Sequence, residues 1–265
     1  MKYFEGWPVV DSNAFIGNWA FRRLRRNDAA GVLAMMDAFG IARACVASAD
    51  AILYKDSHAG NEKLLEETAG HRDRFWRYAT LNPKYAGWER DLAWCVEREF
   101  KALRLYPYYH GYELTDPDLA KLVDAAIEAG LPISAPGRVV DVRQRHWMDT
   151  TQNLAPEAFL GLAEAHPKGT YVLTESIPGA APESDFWRRM RDVALYVEMS
   201  RMTSVLGRSI QTMLEALGAE RVLFGTGFPF KTPSPAFLKV HVLDTDDSAK
   251  RSIMGENARR LFGGR

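Results

Sequence analysis

Residues 8–18 read PVVDSNAFIGN, an apolar run that stops at an acid, a hydroxyl and an amide before turning apolar again. A buried strand of this kind would deliver Asp11, Ser12 and Asn13 to its carboxyl end, where barrel enzymes keep their chemistry. Whether the chain builds such a barrel follows from the alternation of its segments. WPVVDSNAF precedes NDAAGVLAMMDAFG, in which Val32, Leu33, Met36 and Phe39 share a helical face and Gly40 ends the helix. RACVASAD then pairs with HAGNEKLLEETAGH, FWRYATLNP with GWERDLAWCVEREF, and KALRLYP with DPDLAKLVDAAIEAG. In the last of these helices Asp116 is the expected N-cap, Pro117 the first helical residue and Gly130 the stop. LPISAP leads through a long polar loop to APEAFLGLAEAHP, TYVLTES to ESDFWRRMRD, VALYVEMS to SVLGRSIQTMLEALG, and RVLFGTGFPF to KRSIMGENARRLF.

Parallel strands require helical crossovers, and each strand-helix unit takes about 30 residues. The pattern therefore predicts an α/β fold, a (β/α)8 TIM barrel with some distortion, formed by one domain over residues 1–265. An open doubly wound sheet is the main competitor. No G-x-G-x-x-G follows any strand to support it, since GTGFPF lacks the third glycine and runs into proline.

Composition narrows the partners. Lys plus Arg and Asp plus Glu each number 34, so net charge gives no global reason to expect nucleic acid or an anionic membrane. Cys45 and Cys95 lie far apart with no C-x-x-C, as expected of reduced thiols. The opening MKYFEGWPVV lacks the apolar core of a signal peptide, and no run approaches the roughly 18 apolar residues of a membrane span, so the expected location is cytoplasmic.

The stretches VVDSNAFIG, FKALRLYP, GLPISAP, AEAHPKGTYVLTES, RVLFGTGFP and IMGENARRLFG resemble, in order and spacing, the amidohydrolase-related family of distorted TIM barrels. The ending is the most distinctive part, and the resemblance spans essentially the whole chain. It implies hydrolysis of amides or lactones, or decarboxylation of aromatic and unsaturated acids, around a divalent metal held by strand-end histidines and an aspartate. This chain departs from that pattern. The first-strand H-x-H falls on Asn13 and Phe15, the fifth-strand histidine on Pro136, the sixth on Glu175 and the eighth-strand aspartate on Gly227. Zinc takes about four N, S or carboxylate ligands, and of these five residues only Glu175 is one. The six histidines form no H-x-H, H-x-x-x-H or H-E-x-x-H spacing, although His58, His110 and His146 follow strands two, four and five. The expectation is a site without metal or other cofactor.

The barrel rim is cationic and aromatic. Lys55 and His58 follow strand two, while Arg104, Tyr106, Tyr108, Tyr109 and His110 lie on strand four and its loop. Arg138, Arg143, Arg145, His146 and Trp147 follow strand five, Glu175 and Glu198 end strands six and seven, and Lys231 follows strand eight. Arginine forks suit a carboxylate and aromatic faces suit a flat ring, so the expected ligand is a small, anionic, ring-bearing molecule.

On the first of two readings the chain is a metal-independent hydrolase or carbon-carbon lyase. Glu175 or His110 would be the base, Tyr106 or Tyr109 the acid, and Arg138 with Lys55 the oxyanion stabiliser. Arg104, His58, His146 and Asn13 would complete the substrate contacts, and Asp11 would be catalytic or hold strand geometry. A lactonase branch of the similar family needs no metal, but it keeps the aspartate that Gly227 removes here. The second reading is a catalytically inactive homologue serving as a binding or regulatory subunit, paired with an active homologue; on either reading, resemblance to barrels that dimerise makes a homodimer the expected oligomer. Converging polar groups around a cavity would favour the enzyme, and an apolar plug the binding protein. A third arrangement, a metal enzyme with relocated ligands, would require a new cluster of donors.

Overall fold

The computed structural model describes residues 4–178, 184–204 and 207–264. Glu183, Val205 and Leu206, which the sequence pattern assigns to helices, lie outside them. The strands are β1 (Val9–Ile16), β2 (Ile41–Ser48), β3 (Phe75–Thr80), β4 (Ala102–Arg104), β5 (Ile133–Pro136), β6 (Thr170–Thr174), β7 (Ala194–Glu198) and β8 (Val222–Leu223). They form one sheet in sequential order, each pairing in parallel with the next. The helices are α1 (Ala29–Phe39), α2 (His58–Thr68), α3 (Trp88–Glu97), α4 (Pro107–His110), α5 (Pro117–Glu128), α6 (Pro156–Ala165), α7 (Asp185–Asp192), α8 (Ser209–Leu217), α9 (Ser234–His241), α10 (Asp247–Arg251) and α11 (Asn257–Phe262). Strand-helix alternation in this order is the (β/α)8 barrel that the sequence predicts.

Local chemistry explains the boundaries. In α1 the Asp28 side chain accepts from Gly31 N at 2.7 Å, and Gly40 terminates the helix in the left-handed region at φ 70°. Its deepest face is Val32, Met35 and Met36, with Leu33 and Phe39 half-buried at the edge. In α5 Asp116 caps Asp118 N at 2.9 Å and Pro117 opens the helix as expected, while Ala129 rather than Gly130 is the C-cap.

The eighth strand is shorter than RVLFGTGFPF suggests. Only Val222 and Leu223 ladder with β7, because Gly227 turns to φ 68°, outside the strand region. Residues 224–228 close the barrel differently. Ser12 N donates to Phe224 O at 2.9 Å, Gly227 N to Asn13 O at 2.8 Å and Phe15 N to Phe228 O at 2.8 Å.

The expected closing helix over KRSIMGENARRLF is divided into α10, a π-helical turn over Ser252–Glu256, and α11. At this turn a Cβ on Gly255 would collide with the Pro8 carbonyl, so glycine lets the turn lie against β1. Two helices escape the sequence pattern: α4 inside the tyrosine-rich loop and α9 after Lys231. Cys45 and Cys95 are buried free thiols. Among the described residues, no helix is long and apolar enough to cross a membrane.

Candidate active site

Three strand ends meet on one amide. Asn13 Nδ2, from β1, donates to Glu175 Oε1 at 2.7 Å, just past β6, and to Glu198 Oε2 at 3.1 Å, at the end of β7. Its Oδ1 accepts from Arg104 Nη1 of β4 at 3.2 Å, and the same nitrogen reaches Thr174 Oγ1 at 3.1 Å. Arg104 therefore contacts neither Glu175 nor Asp11 as partner; Asn13 stands between it and the acids.

Glu175 is the hub. Lys231 Nζ donates to its Oε2 at 2.8 Å and Arg201 Nε to the same oxygen at 2.6 Å. Ser200 Oγ donates to Glu198 Oε2 at 2.9 Å and accepts from Lys231 Nζ at 2.5 Å, and Ser200 N donates to Glu198 Oε1. Lys239 Nζ, from α9, donates to the Ser200 carbonyl at 2.5 Å. Glu175 adopts φ 51°, a backbone state that non-glycine residues seldom take and that the packed surroundings must hold.

The two carboxylates are electrostatically unequal. Burial raises the pKa of Glu175, but the charges of Lys231 and Arg201 outweigh it and hold the group below its ordinary range. Glu198 is pushed up, first by burial and then by the charge on Glu175. Lys239 is lowered to about 8 by burial and by the nearby Lys231. A carboxylate whose pKa is held low, a second whose pKa is pushed up and a lysine lowered to about 8 thus share one network.

Asp11 lies below it and joins β1 to the closing segment. Its carboxylate accepts from Thr226 Oγ1 at 2.5 Å, Thr226 N at 3.0 Å and Asn13 N at 3.0 Å. Burial raises its pKa to about 7 despite these donors. Every acceptor contact runs to β1 or the closing segment, which is the strand-holding disposition, one of the two that the sequence offers for Asp11.

The other expected site residues divide. Tyr106 is buried with its hydroxyl in no well-aligned hydrogen bond, and burial pushes its pKa up to about 12. Tyr109 hydrogen-bonds Asp149 at 3.2 Å. Arg138 pairs with Asp141 at 3.2 Å and lines a cleft of about 300 Å³ together with Gly137, Leu154, Pro156, Glu175 and Ser176.

His110 is directed elsewhere: Nε2 lies 3.0 Å from the Ala51 carbonyl, which only accepts, so the proton sits on Nε2. Burial lowers its pKa, and its contacts are with the β2 loop rather than Glu175. His58 packs edge-on against Trp94 of α3 at 4.7 Å, and Lys55 is exposed on the β2 loop. His146 stacks on Phe21 at 5.6 Å. None of these four has a hydrogen bond or ion pair to the Glu175 network, because helix and loop packing takes them outward.

Ser200, Arg201, Thr174 and Lys239 were not anticipated. The stretch EMSRM carries the first two immediately after β7, and strand-end position was the available signal. Lys239 gave none, because its helix was not foreseen.

The mouth is partly closed. Phe15 and Phe230 meet edge-on at 5.1 Å, Trp19 and Phe230 at 5.4 Å, and Val139 and Val140 are buried in the same apolar cluster. A larger cavity of about 520 Å³ lies on the outer wall between α5 and α6 and touches none of this chemistry.

An eight-stranded barrel with a charged cluster at the strand ends defines the class as a (β/α)8 TIM barrel with a polar site at its carboxyl-end mouth. The family model for amidohydrolase matches residues 2–264, and the chain belongs to that family. Among solved structures it is similar to 5-carboxyvanillate decarboxylase from Sphingomonas paucimobilis, at 16% identity and TM-score 0.77 over 97% of this chain and 99% of that one. It is also similar to 2,6-dihydroxybenzoate decarboxylase complexed with 2,6-dihydroxybenzoate, at 17% identity and TM-score 0.73 over 98% and 99%. A third is dihydroxybenzoic acid decarboxylase from Polaromonas sp. JS666 with bound manganese and 2-nitroresorcinol, at 16% identity and TM-score 0.72 over 96% of each chain. No curated protein matches the sequence.

The manganese of that last structure raises the question of fit. Among the described residues, no group of three or more His, Cys, Asp and Glu is placed to hold a metal ion. Glu175 already accepts from Lys231, Arg201, Asn13 and Ser200. A Cβ on Gly227 would collide with Lys231 Cε and lie 2.5 Å from Glu175 Oε1, so the lysine side chain fills the space that a residue at 227 would enter. This donor set does not fit a divalent ion.

Proposed function

We propose that this amidohydrolase-family chain is a metal-independent lyase that removes a carboxyl group from a small, ring-bearing acid. The observation that carries the reading is the ionised Glu175, held by Lys231 and Arg201 at the edge of the Arg138 cleft. Arg104, Arg138, Arg201, Lys231 and Lys239 surround Glu175, Glu198 and Asp141, so cations outnumber acids even with all three acids ionised. Such a site favours an anion. The similar structures whose names mention aromatic acids support the ring and the reaction class.

In decarboxylation the carbon-carbon bond breaks, its electron pair stays on the ring carbon, a proton takes the vacated position and CO2 leaves. Lys231 is suited to deliver that proton. It is a partly exposed member of the network, and Glu175 and Ser200 hold its ammonium in place. Glu198, buried behind Ser200, is the carboxyl whose pKa burial and the Glu175 charge push up, and it accepts from Ser200 Oγ. Arg138 draws the anion to the cleft.

The test is CO2 release from hydroxybenzoates and carboxyvanillate-type acids by protein whose metal content is measured. The expected result is turnover that a chelator leaves intact and that Lys231→Met lowers by roughly 100-fold or more. Turnover that appears only on adding manganese would overturn it. The apolar closure by Phe15, Trp19, Phe230, Val139 and Val140 favours the second reading, an inactive binding homologue. Tight binding of these acids without turnover would establish it.

A further inference from the structure

Arg104 is fully buried, yet two of its three nitrogens have no partner among the described residues. Nη1 serves Asn13 and Thr174, while Nε and Nη2 are unpaired. These two nitrogens form the side-on edge of a guanidinium, the edge that grips a carboxylate with two parallel hydrogen bonds. The guanidinium carbon lies 4.9 Å from the centre of the Tyr78 ring and 5.9 Å from that of Phe15, so aromatic rings line the space around this fully buried group.

The neighbouring strands repeat the pattern. Thr80 of β3 and Ser134 of β5 register with Arg104 and therefore project to the same inner side of the barrel. The hydroxyls of Thr80 and Ser134 are buried without a partner, and that of Tyr106 makes no well-aligned hydrogen bond although it lies beside the Arg104 guanidinium. Natural interiors pair such groups, so a cluster of orphans around one buried cation points to something absent from the protein chain itself.

We propose that the Nε/Nη2 edge of Arg104, with the Tyr106 and Ser134 hydroxyls, is a built seat for one planar carboxylate. The proposal rests on the lyase reading and specifies which arginine takes the anion. Arg201 is excluded because Glu175, Asp141 and the Val139 carbonyl occupy its three nitrogens. Arg138 lies at the cleft and pairs with Asp141, where its charge serves capture. A gap of about 20 Å³ lined by Tyr106, Pro136 and Val139 shares Gly137, Arg138 and Leu154 with the larger cleft, and Arg104 and Ser134 lie behind its lining. The gap admits about one water, so a carboxylate reaches Arg104 only when the side chains around the gap move.

The carboxylate has two sources, the substrate's own group or a free one-carbon anion. Thermal shift and 13C NMR titration with formate, bicarbonate and benzoate separate them. Benzoate binding assigns the seat to the substrate, and binding of formate or bicarbonate alone assigns it to the one-carbon product. Arg104→Lys keeps the charge but loses the fork, and it is expected to weaken binding roughly tenfold. Tyr106→Phe and Ser134→Ala, each removing one hydroxyl, are expected to weaken it a few-fold. Arg188→Ala, at an exposed arginine of α7, should leave the titration unchanged. The proposal fails if none of the three anions binds, or if Arg104→Lys and both hydroxyl deletions bind as the unaltered protein does. Because binding is read without turnover, an empty seat in a protein that still releases CO2 would refute the seat and leave the lyase reading standing.

Discussion

Glu175 shows how one substitution reorganises a site. A carboxylate this deeply buried is tolerated because two cations and two neutral donors meet its oxygens. Glu175→Gln would leave Lys231 and Arg201 facing a neutral amide, and a loss of roughly 3–5 kcal/mol is expected, read from the denaturant midpoint. Asp11 behaves in the opposite sense. Its folded pKa, about 7, lies above the 3.8 of a free aspartate, so the folded state holds the proton more tightly. The resulting stability is full below pH 3.8 and is lost as pH rises through about 7. By linkage the amount is about 4 kcal/mol at most. Asp11→Asn keeps acceptor and donor positions for Thr226 and should flatten that part of the pH-stability curve. An unchanged slope in chemical denaturation between pH 4 and 7 would show that the three donors keep Asp11 ionised.

At the scale of elements, the alternation of apolar runs with amphipathic stretches made every strand legible, because burial on both faces of a barrel strand leaves an unbroken apolar signature. The shortened β8 and the π-helical turn were not legible. Both follow from contacts between distant segments: Gly227 turns where the closing segment meets Asn13, and Gly255 sits against the Pro8 carbonyl. The site was legible where a strand end carried the group, as for Asn13, Arg104 and Glu175. It was less legible beyond the strand ends, as for His58 at the start of α2, His110 at the end of α4 and His146 in the loop after β5, because the direction such a side chain takes depends on neighbours that local sequence does not encode. The stretch IMGENARRLFG owes part of its character to Asn257. Buried at the start of α11, this residue donates through Nδ2 to the Ala219 and Val222 carbonyls at 2.7 and 2.8 Å and so holds the entry to β8. Asn257→Ala should cost roughly 1–3 kcal/mol, seen as a lower Tm, by leaving two carbonyls unpaired beneath the closing segment.

For the whole molecule, net charge is zero while the barrel mouth is cationic, so opposite charges have been separated rather than added. Acids accumulate on the outer helices, where Asp118, Glu164 and Asp185 pair with exposed lysine and arginine. Exposed pairs of that kind contribute little, and salt weakens them further. Two inner cations differ from Arg201 and Lys231 in lacking a carboxylate partner: Arg104 has two nitrogens unpaired, and the half-buried Lys239 reaches only a carbonyl among its hydrogen-bond acceptors. The protein therefore carries a local field that an anionic ligand completes. Aromatic carboxylates should raise the Tm through preferential binding to the folded state, by an amount equivalent to about 2.7 kcal/mol at a ligand concentration 100 times Kd. The matching aromatic amines and alcohols should not. Because the field acts at short range inside a low-dielectric mouth, 0.5 M salt, an ionic strength at which Debye screening shortens to roughly 4 Å, should slow association more than it weakens the bound state. A stabilisation equal for acid, amine and alcohol would mean that apolar contact with Phe15, Trp19 and Phe230, rather than charge, selects the ligand.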